Sequence, residues 1–307
     1  MRTAFIDTLC EVAEKNERVW LLSGDLGYSV LERFAEKFPQ RFLNVGVAEQ
    51  NMIGIAAGLA MSGHIVFTYS IANFPVMRCL EQIRNDVCLH NLNVKIVAVG
   101  GGLAYGPAGY THHALEDLAV MRAMPGMTVV APGDPVEARL ATRAIADHPG
   151  PCYLRLGKAG EPLVHTVEPK FRIGEAIVMR SGEDVILIST GGMLERAIRA
   201  AELLSDRGIS AGVLSMHTVK PLDEKAIHGA ALRTRLICVV EEHGETGGLS
   251  DAVARTLSEH NATCAFAALN IPVEENGKIG SQSYLVERAG LTAESISERI
   301  ARALKQQ

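Results

Sequence analysis

"DVILISTGGMLERAIRAAELLSDRGISAGVLSM", residues 184–216, reads as one complete strand–helix–strand unit. "DVILIST" forms a strand, "MLERAIRAAELLSDRG" a helix stopped by Gly208, and "ISAGVLSM" the next strand. Short β-rich runs alternating with helices are the mark of a largely parallel sheet, and the rhythm continues in both directions. Towards the C-terminus come a helix from "LDEKAIHGAAL", a strand "RLICVVEE", a helix "GGLSDAVARTLSEH", a strand "CAFAALNIP" and a closing amphipathic helix "AESISERIARALKQQ". Towards the N-terminus, strands are expected at "RVWLLSGD", "HIVFTYS", "NVKIVAVGG" and "MTVVAPGD". Helices are expected at "AFIDTLCEVAEKN", "AEQNMIGIAAGLAMSG", within "MRCLEQIRNDVCLH", at "HALEDLAVMRAM" and at "DPVEARLATRAIAD", the last with Asp134 as N-cap and Pro135 in its first turn. Between the two runs, "LRLGKAGEPLVHTVEPKFRIGEAIVMRSGED" is rich in Gly and Pro and loses the helical period, which puts a boundary near residues 160–172. The expected architecture is α/β with two domains, residues 1–165 and 172–307, each a largely parallel sheet with flanking helices.

A chain of 307 residues is long enough for two such domains, each with its own core. Its 48% hydrophobic and 21% charged residues are those of a soluble globular protein. A net charge of −5 gives no electrostatic case for nucleic acid or an anionic membrane as partner. Small, neutral or metal-complexed partners remain. The six cysteines are scattered, form no C-x-x-C pair and sit in runs such as "LICVV", so they read as core thiols in a reducing compartment. "MRTAFIDTLCEVAEKNERVW" carries acids every few residues and no unbroken apolar stretch, which fits neither a signal peptide nor a membrane span. A cytoplasmic location is expected.

Two stretches carry candidate chemistry. "LNVGVAEQNMIGIAAGLA", residues 43–60, places one acid, Glu49, at the mouth of a small, apolar helix. An acid costs free energy to bury unless it has a partner or a task. Gly54 and Gly58 leave one helix face bare and, with Ile53, Ile55 and Leu59 around it, the helix is expected to be buried and to start in the interior. Glu49 then either complements the helix N-terminus or performs chemistry. The second stretch, "GGGLAYGPAGYTHHALEDLAVMRAMPGMTVVAPGD", sets a glycine-rich loop and two histidines before a helix, and functional residues concentrate on such loops. Taken singly, His112 and His113 fit hydrogen-bonded structural histidines, and the glycines match no phosphate-loop pattern.

Read in order, "GVAEQNMIGIAAGLAMSG", "YSIANFPVMRCLEQIRNDV", "GYTHHALEDLAVMRAMPGMTVVAPGD" and "PCYLRLGKAG" resemble the pyrimidine-binding half of transketolase-type thiamine diphosphate enzymes. "DVILISTGG", "VLSMHTVKPLD" and "VVEEHGETGGLSDAVA" resemble the family's carboxy-terminal domain, so the likeness spans nearly the whole chain. It implies that Glu49 hydrogen-bonds a ring nitrogen of the cofactor's aminopyrimidine, favouring the imino tautomer that deprotonates the thiazolium carbon. A buried carboxylate suits this, because desolvation raises its proton affinity and a charge-assisted bond strengthens in a dry site. His112 matches the histidine of the family's T-H pair, which meets substrate oxygens, and an imidazole with an unperturbed pKa of about 6.5 can exchange protons there. His113 stands where many relatives have glutamine and is grouped with the substrate side. Phe74 or Tyr69 is expected to stack on the pyrimidine, with Asp25 among the cofactor-side residues. Arg2, Ser29 and Lys158 match positions that hold the sugar phosphate, with Arg155 close by.

The resemblance is incomplete at two places and lacks one domain. Gly100 to Gly102 occupy the region of another family histidine, and Ala108 replaces an acid, so the sugar stays open. No G-D-G element with a following asparagine occurs, nor a donor cluster for magnesium, and no metal ligands are assigned to this chain. Met1 is followed almost at once by the first helix, so the thiamine diphosphate and its Mg²⁺ are expected to be held mainly by a separate amino-terminal diphosphate-binding subunit, in a heterotetramer. The expected activity is that of the carboxy-terminal subunit of a split transketolase, moving a two-carbon ketol unit between sugars. The rival readings are a 2-oxoacid dehydrogenase beta-type subunit, a deoxyxylulose-phosphate synthase-like enzyme and, from a different class, a non-catalytic paralogue.

Overall fold

The computed structural model describes residues 1–306. Its strands are β1 (Val19–Ser23), β2 (Phe42–Asn44), β3 (Ile65–Ile71), β4 (Val94–Val99), β5 (Thr128–Val130), β6 (Cys152–Leu156), β7 (Ile177–Arg180), β8 (Val185–Ser189), β9 (Ala211–Ser215), β10 (Thr218–Lys220), β11 (Leu236–Gly244) and β12 (Ala265–Ile271). They form a seven-stranded sheet, β10-β5-β6-β4-β3-β1-β2, and a five-stranded sheet, β12-β11-β8-β9-β7. Pairing is parallel throughout except for β10 on β5 and β7 on β9. The helices are α1 (Arg2–Lys15), α2 (Glu32–Lys37), α3 (Glu49–Met61), α4 (Leu80–Gln82), α5 (Asp117–Ala123), α6 (Pro135–Asp147), α7 (Leu194–Ser205), α8 (Glu224–Ala231), α9 (Leu249–Glu259), α10 (Gln282–Arg288) and α11 (Ala293–Lys305). Two largely parallel sheets with flanking helices are the architecture expected from the strand–helix rhythm.

Four strands escape that rhythm: β2, β6, β7 and β10. Three-residue β2 and β10 are too short for a period of two to register. In β6, "CYLRL", every residue is buried, the arginine included, so mixed polarity conceals a central strand. β10 comes from beyond the Gly/Pro-rich stretch, yet it joins the first sheet, with Thr218 opposite Val130. The cores are also continuous: Ile186, Ile188, Leu214 and Met216 of the second sheet pack in one cluster with Met52, Ile53, Val66 and Ile96.

Local chemistry sets the helix ends. Asp134 caps α6 by accepting from the Glu137 N–H at 2.8 Å, with Pro135 in the first turn. α5 begins only at Asp117, because Ala114 exchanges two backbone hydrogen bonds with Gly102 and the Leu115 carbonyl accepts from Gly244 N–H at 2.8 Å. The segment around α4 is wound wide, with π-type turns at Phe74–Arg78 and Ile83–Cys88. α3 starts in the interior at Glu49, as expected, but its packed side is Met52, Ile53, Ala56 and Ala57. Gly54 and Gly58 face outward, and a Cβ on either would meet nothing within 4 Å, which corrects the expectation of a helix buried around its glycines. The six cysteines are free thiols, all buried but the half-buried Cys264. Among the described residues, no helix is long and apolar enough to cross a membrane.

The parallel strands β1, β2, β3, β4 and β6 end along one edge, and the connections leaving them carry Asp25, Ser29, Glu49, Phe74, His112, His113 and Lys158. Open α/β sheets bind ligands outside such carboxyl ends.

Candidate active site

Glu49 is fully buried at the first position of α3. Gly24, just past β1, makes room for it: a Cβ there would stand 3.4 Å from the Glu49 Cγ. The carboxylate accepts from Arg78 Nη1 at 2.6 Å and from Ser70 Oγ at 3.3 Å. Arg78 is itself exposed and lies over the Phe74 ring, 4.7 Å from its centroid. The wide turn at Phe74–Arg78 thus presents an aromatic face and a guanidinium together. Behind them the Cys79 thiol is pushed up to about 12, first by burial and then by the Glu49 charge.

Phe74, Arg78, Tyr110, Thr111, His113 and Glu116 line an open cavity of about 620 Å³. Asn73 Nδ2 donates to the Thr111 carbonyl at 2.9 Å, tying the histidine loop to the Phe74 turn. His112 is half-buried, meets the Phe74 ring edge-on at 5.1 Å and places Nδ1 3.0 Å from Thr111 Oγ1. With Nδ1 engaged, Nε2 is the atom left for chemistry. His113 is buried beneath the cavity, Nε2 3.4 Å from the Gly106 carbonyl and Nδ1 without a hydrogen-bond partner.

Tyr105 links this cavity to the basic residues. Its ring lies 6.1 Å from that of His112 and carries the Lys158 ammonium 4.6 Å above its centroid. Gly100 permits this, since a Cβ there would come within 2.1 Å of the ring. Burial raises the Tyr105 hydroxyl's pKa, and the nearby Arg2 charge draws it back. Arg2 and Lys158 therefore converge on one side of the histidine loop.

The remaining expected residues lie elsewhere. Tyr69 is a core residue, 1% exposed, stacked on Phe5 at 6.0 Å, and burial pushes its hydroxyl up to about 12. Of the two aromatics only Phe74 faces the cavity, so stacking on a ligand is corrected for Tyr69. Asp25 is exposed, with its carboxylate accepting from Asn44 Nδ2 at 2.9 Å and Tyr28 OH at 3.2 Å. Ser29 lines a separate hollow with Thr3, Asp7 and Arg33, its N–H donating to Glu32 Oε1 at 2.8 Å. Arg155 points from β6 toward the second sheet. Its Nε donates to Asp117 Oδ2 at 2.8 Å and its Nη2 to the Ala114 and Glu242 carbonyls at 2.9 Å. The guanidinium is held by these bonds at a cleft between the sheets, whose lining it shares with Lys158, so a direct place in the cavity of Phe74 and His113 is corrected for Arg155. Sequence reasoning missed Arg78 and Tyr105. Arg78's spacing of four from Phe74 was the one available signal.

Residues 1–160 match the transketolase pyrimidine-binding domain, and residues 174–296 match the transketolase C-terminal domain. The chain belongs to the transketolase family. It is 39% identical over 310 residues to a transketolase C-terminal section from Methanocaldococcus jannaschii, covering 100% of this chain and 97% of that protein. A 6-deoxy-6-sulfo-D-fructose transketolase subunit from Clostridium sp. is 39% identical over 298 residues, covering 96% of this chain and 92% of that protein. A solved split-gene transketolase, described as an inactive beta4 tetramer, superposes with a TM-score of 0.89 at 36% identity, covering 99% of this chain and 97% of that one. The homologues are split transketolase subunits, and this transketolase-family chain is similar to them over its full length.

Proposed function

We propose that the chain is the carboxy-terminal, pyrimidine-side subunit of a transketolase-like enzyme that moves a two-carbon ketol unit between sugars. The observation that carries this reading is Glu49, a wholly buried carboxylate bonded to Arg78, which lines the accessible cavity together with the aromatic face of Phe74. A buried ion is costly to a fold unless the partnering is complete. Here the charged partner is half in water, which suits a group kept for chemistry rather than for stability. Its surroundings fit an aminopyrimidine: a carboxylate for the ring nitrogen, the Phe74 face for stacking and a wall left open by Gly24.

Thiamine diphosphate, when bound, supplies the carbanion-stabilising chemistry. The chain's own residues orient and exchange protons. Glu49 holds a hydrogen bond at the pyrimidine nitrogen, and Arg78 shares or yields that carboxylate. His112 offers Nε2 to substrate oxygens, its ring fixed by Thr111 and Phe74. Arg2 and Lys158, gathered around Tyr105, hold the anionic end of the sugar. The Clostridium relative is named for a sulfonated ketose, which supports an acceptor or donor with an anionic tail.

The diphosphate and Mg²⁺ belong in this reading to a separate amino-terminal subunit, in a cytoplasmic heterotetramer. The relatives' names as a C-terminal section and a subunit support it. The test is reconstitution: the chain, mixed with a diphosphate-domain subunit, thiamine diphosphate and Mg²⁺, is assayed with ketose phosphates and with 2-oxoacids. Ketol transfer requiring both proteins is expected. Turnover of 2-oxoacids instead, or ketol transfer by the chain alone, overturns the reading.

A further inference from the structure

The Arg155 guanidinium is 5% exposed and locked by the Asp117, Ala114 and Glu242 bonds, yet its Nη1 makes no hydrogen bond. That nitrogen faces a cavity of about 160 Å³ between the two sheets, 3.7 Å from where a Cβ on Gly191 would stand. The geometry points to an anion site in this cleft, suited to the phosphate group of a small phosphorylated metabolite and distinct from the cavity lined by Phe74, Tyr110 and His113.

Three features converge on it. The first is Arg155 itself, a pre-oriented donor whose rotamer freedom is already lost, so little ordering is left to oppose binding. The second is the Gly191–Met193 turn that leads into the twelve-residue α7 and lines the cavity through Gly191 and Gly192, with the Gly191 N–H already taken by the Ala131 carbonyl at 3.0 Å. The dipole of α7 favours an anion beyond this turn. The third is Arg196, which reaches the cavity from the first turn of α7. Its neighbour Glu195, the acid of the same turn, is exposed and does not line the cavity.

Arg155 is paired with Asp117, and the lining also carries two carboxylates, so the positive surplus in the cleft rests on Arg196 and Lys158 against Glu242. Glu161 is held by the Met1 ammonium at 2.8 Å. Glu242 Oε1 accepts from the Leu103 N–H and from Gln282 Nε2, each at 2.9 Å. Lys158 stands at the rim, with its ammonium turned over Tyr105. The volume admits a phosphate with a few attached atoms and excludes a nucleotide. Because the walls come from both sheets, occupancy should tighten their docking and raise thermal stability.

The inference does not depend on the ketol-transfer reading, and inorganic phosphate tests it directly. Calorimetry and thermal unfolding of the chain are run with phosphate at constant ionic strength. Saturable binding below millimolar phosphate is expected, with an upward shift in Tm. Arg196→Ala and Gly192→Glu should each weaken it at least tenfold; a Cβ at Gly192 meets nothing within 4 Å, so that variant keeps the fold. Arg84→Ala, at an exposed arginine that lines neither cavity, should bind as the wild type does. No saturable binding, unchanged binding in the two cleft variants, or a loss in Arg84→Ala as large as theirs each overturns the proposal.

Discussion

Glu49 and Arg78 form one ion pair with unequal stakes, since the carboxylate is 0% exposed and the arginine side chain 44%. Removing the arginine strands a buried charge, whereas removing the acid frees a guanidinium to turn into water. Arg78→Met should therefore cost about 1–2 kcal/mol at neutral pH, discounted from a fully buried pair because water reaches one side. Glu49→Gln should cost less than about 1 kcal/mol. Urea unfolding of both variants checks the order, and equal costs would mean that burial does not set it. In the reconstituted complex the same Glu49→Gln should lose deuterium exchange at the cofactor's thiazolium carbon, and wild-type rates would remove Glu49 from the assigned role. For His112→Ala, turnover should fall more than cofactor affinity, because the imidazole meets oxygens as charge develops on them. Small, equal effects would return His112 to a structural role. Glu49, Phe74 and His112 were named through the resemblance of the short motifs around them to the family's, since their neighbours alone left structural readings open. The places of Arg155 and Tyr69 were not legible, since which side of a strand a residue faces depends on where the sheet places it.

At the level of elements, the start of α6 holds the connection to the second sheet. Asp134 caps α6 and also accepts from the Val164 and His165 N–H groups at 3.0 and 2.9 Å. The His165 ring lies 3.3 Å from Asp134 and 3.6 Å from Glu137, which in turn accepts from Ser215 Oγ at 2.7 Å. Burial opposes ionisation of Asp134, but the His165 and backbone hydrogen bonds outweigh it and hold the carboxyl down at about 2. A depressed acid stabilises above its unfolded value of about 3.9, and that contribution is lost as pH falls through about 2. Burial also pulls His165 down, but Asp134 and Glu137 outweigh it, and its net shift is upward. A raised histidine contributes fully below its unfolded value of about 6.5, and that contribution is lost as pH rises through the folded value. Glu137, raised by burial, has the same sign. Stability should thus fall from pH 6 to pH 9, and His165→Ala should flatten that fall by on the order of 1 kcal/mol, measured by thermal unfolding across the range. A parallel decline in both proteins would clear the latch of any role. The α6 cap was readable from Asp134 and Pro135, but its hold on His165 spans 31 residues and no local pattern announces it.

For the whole molecule, the unanswered surface is the outer face of α3. Gly54 and Gly58 are open there, and exposed Val47 and Met61 flank the helix at 74% and 59%. Apolar surface of this kind marks association sites. Gly58→Ala should raise the stability of the lone chain by up to about 1 kcal/mol, since alanine loses less backbone entropy in a helix and its Cβ meets nothing. Gly58→Arg should leave the lone chain folded yet block its assembly with a partner subunit or with copies of itself. Light scattering and thermal unfolding of the two variants separate these effects. Undiminished assembly in Gly58→Arg would place the interface elsewhere.

Local sequence by itself determined the α/β class, most helices and the cap of α6, because period, capping and turn chemistry act within a few residues along the chain, while the acid, aromatic and histidine were named only through the likeness of their motifs to the family's. Only the tertiary structure decided that β10 crosses into the first sheet, that Arg78 closes on Glu49, and that Arg155 is locked to Asp117, Ala114 and Glu242 at the cleft between the sheets. Those outcomes depend on strand order and on contacts between residues far apart in the chain, which the loop-closure and packing of the whole chain select together.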